Sequence, residues 1–207
     1  MAETPAFPPG FFDRADPTTD ADFYASDRLV THIDADAIAA VGALYDELGV
    51  TGEVLDLMSS WVSHFRTAPR RLVVLGMNPN ELQANPQATH RVTHDLNRDP
   101  SLPFPDASFD DVVCCVSVDY LIRPVEVFVE VARVLRPGGR FVLTFSNRCF
   151  PTKAIRAWLA TDDAGHVEIV KTYFNQAVTY AEPTSQLRTS LTSGGDPLWA
   201  VWAPINR

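Results

Sequence analysis

The sequence predicts a doubly wound α/β sheet, on three observations. Five runs of strand length recur along the chain: Glu53–Leu57, Arg71–Leu75, Thr89–Thr93, Asp111–Val118 and Gly139–Ser146. The last two are apolar on both faces, as parallel strands covered from both sides are. Between them, Pro124–Leu135 carries Val127, Phe128, Val131 and Leu135 on one helical stripe. Strands that alternate with helices build such a sheet.

The other elements follow in order. Residues 1–22 are rich in Pro, Asp and Thr and read as an irregular arm. Exposing the rings of both Phe11 and Phe12 would be costly, so at least one docks on the body. We take residues 1–33 as an arm or lid and 34–207 as a single domain. Asp34 or Asp36 caps a helix to Leu48, whose apolar face is Ile38, Val41, Leu44, Tyr45 and Leu48, and Gly49 stops it. Pro124 opens the later helix at its first turn, and Arg136-Pro-Gly-Gly139 turns it into the next strand. Helices are expected at Thr152–Leu159 and Asp163–Phe174, and the last strands near Ala177–Tyr180 and Leu198–Trp202, making seven. Trp158, Trp199 and Trp202 read as packing residues.

Composition narrows the function. The chain has 207 residues, with 17 Lys and Arg against 26 Asp and Glu, a net charge of −9. Phosphate contacts need a basic face, so a general nucleic-acid binder is not expected. Cys114 and Cys115 are adjacent and Cys149 stands alone; they make neither a disulfide framework nor a zinc site, and no metal is implied. All three read as small core residues. No leader and no membrane-length apolar run is visible. A cytoplasmic protein, monomer or homodimer, without a membrane partner is expected.

Ligands of doubly wound sheets bind beyond the carboxyl ends of the strands, where strand order reverses. That points to Met58–His64, Gly76–Asn80, Asp95–Phe104, Ser117–Arg123 and Ser146–Phe150. Two phrases in this region are specific. Asp95-Leu96 precedes Leu102-Pro-Phe-Pro-Asp-Ala-Ser-Phe-Asp-Asp-Val-Val113, and Glu130-Val-Ala-Arg-Val-Leu-Arg-Pro-Gly-Gly139 follows. With Val54-Leu-Asp-Leu57, they resemble the class I S-adenosylmethionine-dependent methyltransferases of the type 11 group. Asp56-Leu-Met-Ser-Ser-Trp-Val-Ser-His64 resembles a branch of that superfamily with no glycine in the loop.

The resemblance implies a Rossmann-like, mostly parallel seven-stranded sheet with helices on both faces, and S-adenosylmethionine as cofactor. Asp56 would orient the cofactor, directly or by fixing the loop after it. The backbone of Met58, Ser59 and Ser60 would hold its methionine part. Asp95 would accept from the adenine amino group, with Leu96 on the ring, and Ser117 would lie beneath the methionine tail. The usual loop is Asp-x-Gly-x-Gly-x-Gly, followed about 20 residues later by an acid for the ribose. Here that second position falls on Gly76-Met77-Asn78, where Asn78 is the nearest polar substitute.

Several residues keep two readings. Asp56 serves a ligand loop or caps a short helix at Trp61–Phe65. His64 is a general base or structural. Asp119 steadies a positive sulfonium or caps the approach to the Pro124 helix, and Tyr120 presents an aromatic face there or packs. Asn147 and Arg148 contact substrate, Arg148 by pairing an acid, or form a surface turn. Tyr24 and His32 are lid contacts or part of a solvated arm. The leading expectation is in-line methyl transfer to a small molecule, with His64, Asp119 or His32 as base where one is needed. The alternatives are other chemistry on the same cofactor and a non-catalytic binding module.

Overall fold

The computed structural model describes residues 7–189 and 194–206. Residues 1–6 of the expected arm lie outside them. Seven strands form one sheet in the order β3-β2-β1-β4-β5-β7-β6. They are β1 Glu53–Leu57, β2 Arg71–Gly76, β3 His90–Thr93, β4 Phe109–Cys115, β5 Leu135–Phe145, β6 Thr184–Leu187 and β7 Trp199–Pro204. β1 to β5 pair in parallel, and β7 runs antiparallel to both β5 and β6. Strand order reverses between β1 and β4, so a crevice opens above those two strands.

Helix α1 is Asp20–Phe23, α2 Ala35–Leu48, α3 Pro79–Ala84, α4 Pro124–Val134, α5 Arg156–Leu159 and α6 Asp163–Ala177. Asp34 is the cap of α2, accepting from the Ala37 amide at 2.9 Å, and Gly49 ends it at φ 66°. The stripe of α4 is fully buried at Val127, Phe128 and Val131. With β4 and β5 it forms the main core on one face, and α2 with Phe65 and Leu72 covers the other. Among the described residues no helix is long and apolar enough to cross a membrane. Phe11 and Phe12 do dock, packing with Phe7 and Tyr173 against the main core.

Four element expectations need correction. Ala177–Tyr180 is not a strand: α6 runs through Ala177, Val178 caps it at φ 59°, and Tyr180 makes a single bridge to Ile205. The strand lies later, at Thr184–Leu187. α4 ends at Val134, one residue early, because Leu135 already pairs with Phe109. The Thr152–Leu159 helix shrinks to Arg156–Leu159, and no helix forms at Trp61–Phe65. α3 was not foreseen. Its signature is present: Asn78 caps, Pro79 takes the first turn and Glu81 is the acid within it.

Candidate active site

A cavity of about 500 Å³ opens at the carboxyl ends of β1, β2 and β4. Nine of the ten expected cofactor residues line it: Met58, Ser59, Ser60, Gly76, Met77, Asn78, Asp95, Leu96 and Ser117. Tyr24, His32, Tyr120 and Arg148 line it as well.

The loop after β1 works without glycine because its demands move elsewhere. Met58 takes φ 55° itself, and Val116, after β4, takes φ 45°. Such angles are costly for side-chain-bearing residues, and strain of this kind gathers at functional sites. Close approach is provided by the neighbouring strand: a Cβ on Gly76 would stand 2.1 Å from the Ser59 carbonyl oxygen. The Ser59 amide donates to the Leu75 carbonyl at 2.8 Å, locking the loop onto β2.

Asp56 lies behind this loop, 4% exposed and outside the main cavity. It accepts from the hydroxyls of Ser59 at 2.7 Å and Ser63 at 2.5 Å. Burial pushes its pKa up to about 6 against the lowering effect of those two bonds. Asp56 thus shapes the loop and does not face the cavity, which favours the indirect of its two expected roles.

Asn78 is also corrected. Its amide donates to the Tyr24 carbonyl and to Asp27, and its oxygen accepts from the amides of Asn80 and Glu81. An amide side chain offers two donors and two acceptor sites, so every one is committed to the α3 cap and the N-terminal segment. The carboxylate at this edge is Glu81, which sequence reasoning missed. It accepts from the Ser60 hydroxyl at 2.5 Å and the Arg28 amide at 2.7 Å, and it lines the cavity.

At the far edge, Asp95 Oδ1 accepts from the amides of Asn97 and Arg98 and holds the turn after β3. Its Oδ2 carries no hydrogen bond among the described residues, and Leu96 lies beside it, 4% exposed. A carboxylate oxygen beside an apolar shelf fits a purine with an amino group. Asn97 ties this turn to the N-terminal segment through Asp20 at 2.8 Å and to the Tyr120 carbonyl at 2.9 Å.

None of the three expected catalytic residues lines the cavity. His64 lines a smaller hollow of about 60 Å³ behind the Met58–Ser60 loop, and burial lowers its pKa, helped by the charge of His32. Asn147 is exposed, and among the described residues its side chain hydrogen-bonds with Ser146 alone. Asp119 sits in a single 3-10 turn at Val118–Tyr120 with its side chain turned inward, 3% exposed. It does not cap α4, whose cap is Arg123. One of its oxygens has no hydrogen-bond partner, and burial raises its pKa to about 8. Cys149, expected in the core, is half-buried on the cavity wall, and Cys115 on β4 is also only partly buried.

The Asp119 proton has a consequence for stability. Between its ordinary pKa of 3.8 and about 8, the folded chain keeps a proton that the unfolded chain releases. Its contribution is complete at low pH and is lost as pH rises through that window. Asp119→Asn is therefore expected to raise the melting temperature more at pH 8 than at pH 5. Equal shifts at the two values in thermal melts would refute this.

The N-terminal segment forms part of the cavity wall. Tyr24, Arg28, Thr31 and His32 line the cavity from above. Buried Lys153 anchors one end, reaching the Thr18 carbonyl at 2.8 Å and lying 3.2 and 3.3 Å from Asp16 and Asp20. At the other end, Asp34 and Asp196 each accept from the other's backbone amide.

Comparison with known proteins agrees with this geometry. Residues 49–143 match the family described as "Methyltransferase domain". The malonyl-[acyl-carrier protein] O-methyltransferase of Marinomonas sp. (strain MWYL1) is 27% identical over 75% of this chain and 57% of its own length. The ubiquinone/menaquinone biosynthesis C-methyltransferase of Hahella chejuensis is 32% identical over 58% of this chain and 49% of its own. The chain thus spans about half the length of these two relatives. A Burkholderia thailandensis 1,6-didemethyltoxoflavin-N1-methyltransferase, solved with 1,6-didemethyltoxoflavin and S-adenosylhomocysteine, superposes with a TM-score of 0.59 at 16% identity, over 84% of this chain and 79% of that one. In sequence pattern, strand order and cavity position, the chain is similar to the class I S-adenosylmethionine-dependent methyltransferases, and the match to their domain family runs over residues 49–143.

Proposed function

We propose that the protein transfers a methyl group from S-adenosylmethionine to a small-molecule acceptor. The observation that carries this is that one cavity joins the loop, turn and shelf expected for the cofactor to an aromatic wall under the N-terminal segment. Its size is that of a small-ligand site.

Asp95 would hold the adenine amino group, Glu81 the ribose hydroxyls, and Ser60 and Ser117 the methionine end. The bound cofactor supplies a methyl carbon already activated by a sulfonium. The work left to the chain is to align the acceptor about 3 Å from that carbon and to keep water out. Tyr24, Tyr120 and Phe150 line the acceptor side, and the N-terminal segment covers it. Where the acceptor starts protonated, His32 is the base, since of the three expected bases it alone lines the cavity.

Titration with S-adenosylhomocysteine tests this reading. Micromolar binding to the wild type is expected. Asp95→Ala should weaken it by about 1–3 kcal/mol, or roughly five- to hundredfold. Binding that is absent in a folded wild-type protein would move the assignment to a non-catalytic module. Unchanged binding in Asp95→Ala would take Asp95 out of the site.

A further inference from the structure

Two arginines line the cavity among the described residues, Arg28 and Arg148. The sequence pointed to Arg148 as the partner of an acidic substrate, but Arg148 donates to Asp196 at 2.8 Å. The Arg28 guanidinium meets no carboxylate among the described residues. Its nitrogens donate to the carbonyls of Phe23 at 2.8 Å and Ser26 at 3.2 Å. A guanidinium has five N–H donors, so three remain without an acceptor.

The group is nonetheless fixed in place. It lies 4.5 Å from the Phe23 ring centre, 5.6 Å from Phe150 and 5.9 Å from Tyr24. A cation held on aromatic faces is partly stripped of water and already aimed. The carboxylates on the same wall are engaged elsewhere: Asp20 with Arg14 and Lys153, Glu81 with Ser60, and Asp196 with Arg148. In a chain of net charge −9, a half-buried arginine left without an acid marks a place for an outside anion.

Position says which ligand brings it. Phe150 follows β5, on the far side of the β1/β4 reversal from Gly76 and Asp95. Its ring meets His32 at 5.3 Å and Tyr120 at 5.9 Å. We propose that Arg28 seats the anionic group of the acceptor, and that the acceptor is a planar carboxylic acid lying among Tyr24, His32, Tyr120 and Phe150. This rests on the methyltransferase reading above. A carboxylate could also come from the amino-acid end of the cofactor, and the test separates the two sources.

The test is calorimetric titration of the full chain, saturated with S-adenosylhomocysteine, using 4-hydroxybenzoate and cinnamate and, in parallel, their amides. At least one acid should bind about tenfold or more tightly than its amide. Arg28→Gln should abolish that preference, Arg28→Lys should retain part of it, and both should bind S-adenosylhomocysteine as the wild type does. Equal binding of acid and amide, or no binding of either acid, overturns the proposal. So does an Arg28→Gln protein that loses affinity for S-adenosylhomocysteine but not for 5′-methylthioadenosine, because Arg28 then serves the cofactor's own carboxylate. If the wild type fails to bind S-adenosylhomocysteine, the methyltransferase reading falls. The acid and amide titrations of the protein alone then decide the Arg28 proposal separately.

Discussion

Lys153→Met is expected to free the N-terminal segment and lower the melting temperature by about 6–12 °C. Lys153 is completely buried, and its ammonium is the point where Asp16, Thr18 and Asp20 converge on the body. Removing one member of a buried charge cluster costs about 3–5 kcal/mol, because the remaining charge is left in a poor solvent. Asp20 keeps Arg14, whose Nη1 donates to both carboxylate oxygens at 2.7 and 2.9 Å, which places the loss near the lower end. Methionine retains most of the stem's packing, so the effect reads the charge rather than a cavity. Proteolysis before Tyr24 should quicken in step. A melt within about 2 °C of wild type, with the segment still protected, would show that the lysine anchors nothing.

Gly76→Ala is the second large effect. The new methyl would meet the Ser59 carbonyl at 2.1 Å and the Leu82 side chain at 3.2 Å. The first of these is backbone and cannot swing aside. The loop must lift, breaking the Ser59–Leu75 hydrogen bond and moving Met58 and Ser60 away from the cavity floor. Overpacking of this kind costs about 1–3 kcal/mol of stability. The affinity for S-adenosylhomocysteine should fall by about tenfold or more, since the loop is displaced as a unit. Ser60→Gly, in contrast, leaves the loop seated and removes one hydroxyl. If Gly76→Ala binds the ligand as the wild type does, the two strands do not need their close approach.

The sheet was legible because parallel strands buried on both faces announce themselves as unbroken apolar runs, and Val112, Val113 and Leu143 are indeed fully buried. β6 was not legible. Thr184–Leu187 is a polar edge strand, half in solvent, with no apolar run to mark it. α3 was hidden for a different reason: Gly76–Asn80 was read as a ligand loop, although Asn78-Pro79-Asn80-Glu81 spells a helix start. Nine of the ten expected cofactor residues line the cavity because a doubly wound sheet opens its crevice at known strand ends. His64, Asp119 and Asn147 do not line it, because nearness to a strand end does not say which way a side chain turns. The 3-10 turn after β4 carries Asp119 into the interior and Tyr120 to the cavity, one residue apart. After β5, Asn147 faces water while Cys149 and Phe150 face the site. Arg28 and Lys153 were invisible as a pair of opposites, one arginine without an acid and one lysine with two, because Asp16 and Asp20 lie far from Lys153 in the chain, as Phe150 does from Arg28.

Glu81 takes one hydrogen bond from the Ser60 hydroxyl, on the cofactor's loop, and one from the backbone of Arg28, on the acceptor's side. A single carboxylate therefore belongs to both halves of the cavity. On the proposed assignment, a ligand that draws Glu81 toward one half alters the geometry offered to the other, and a coupling free energy between the two occupancies is the expected result. Such coupling is reciprocal: whatever factor the first ligand adds to the affinity of the second, the second returns to the first.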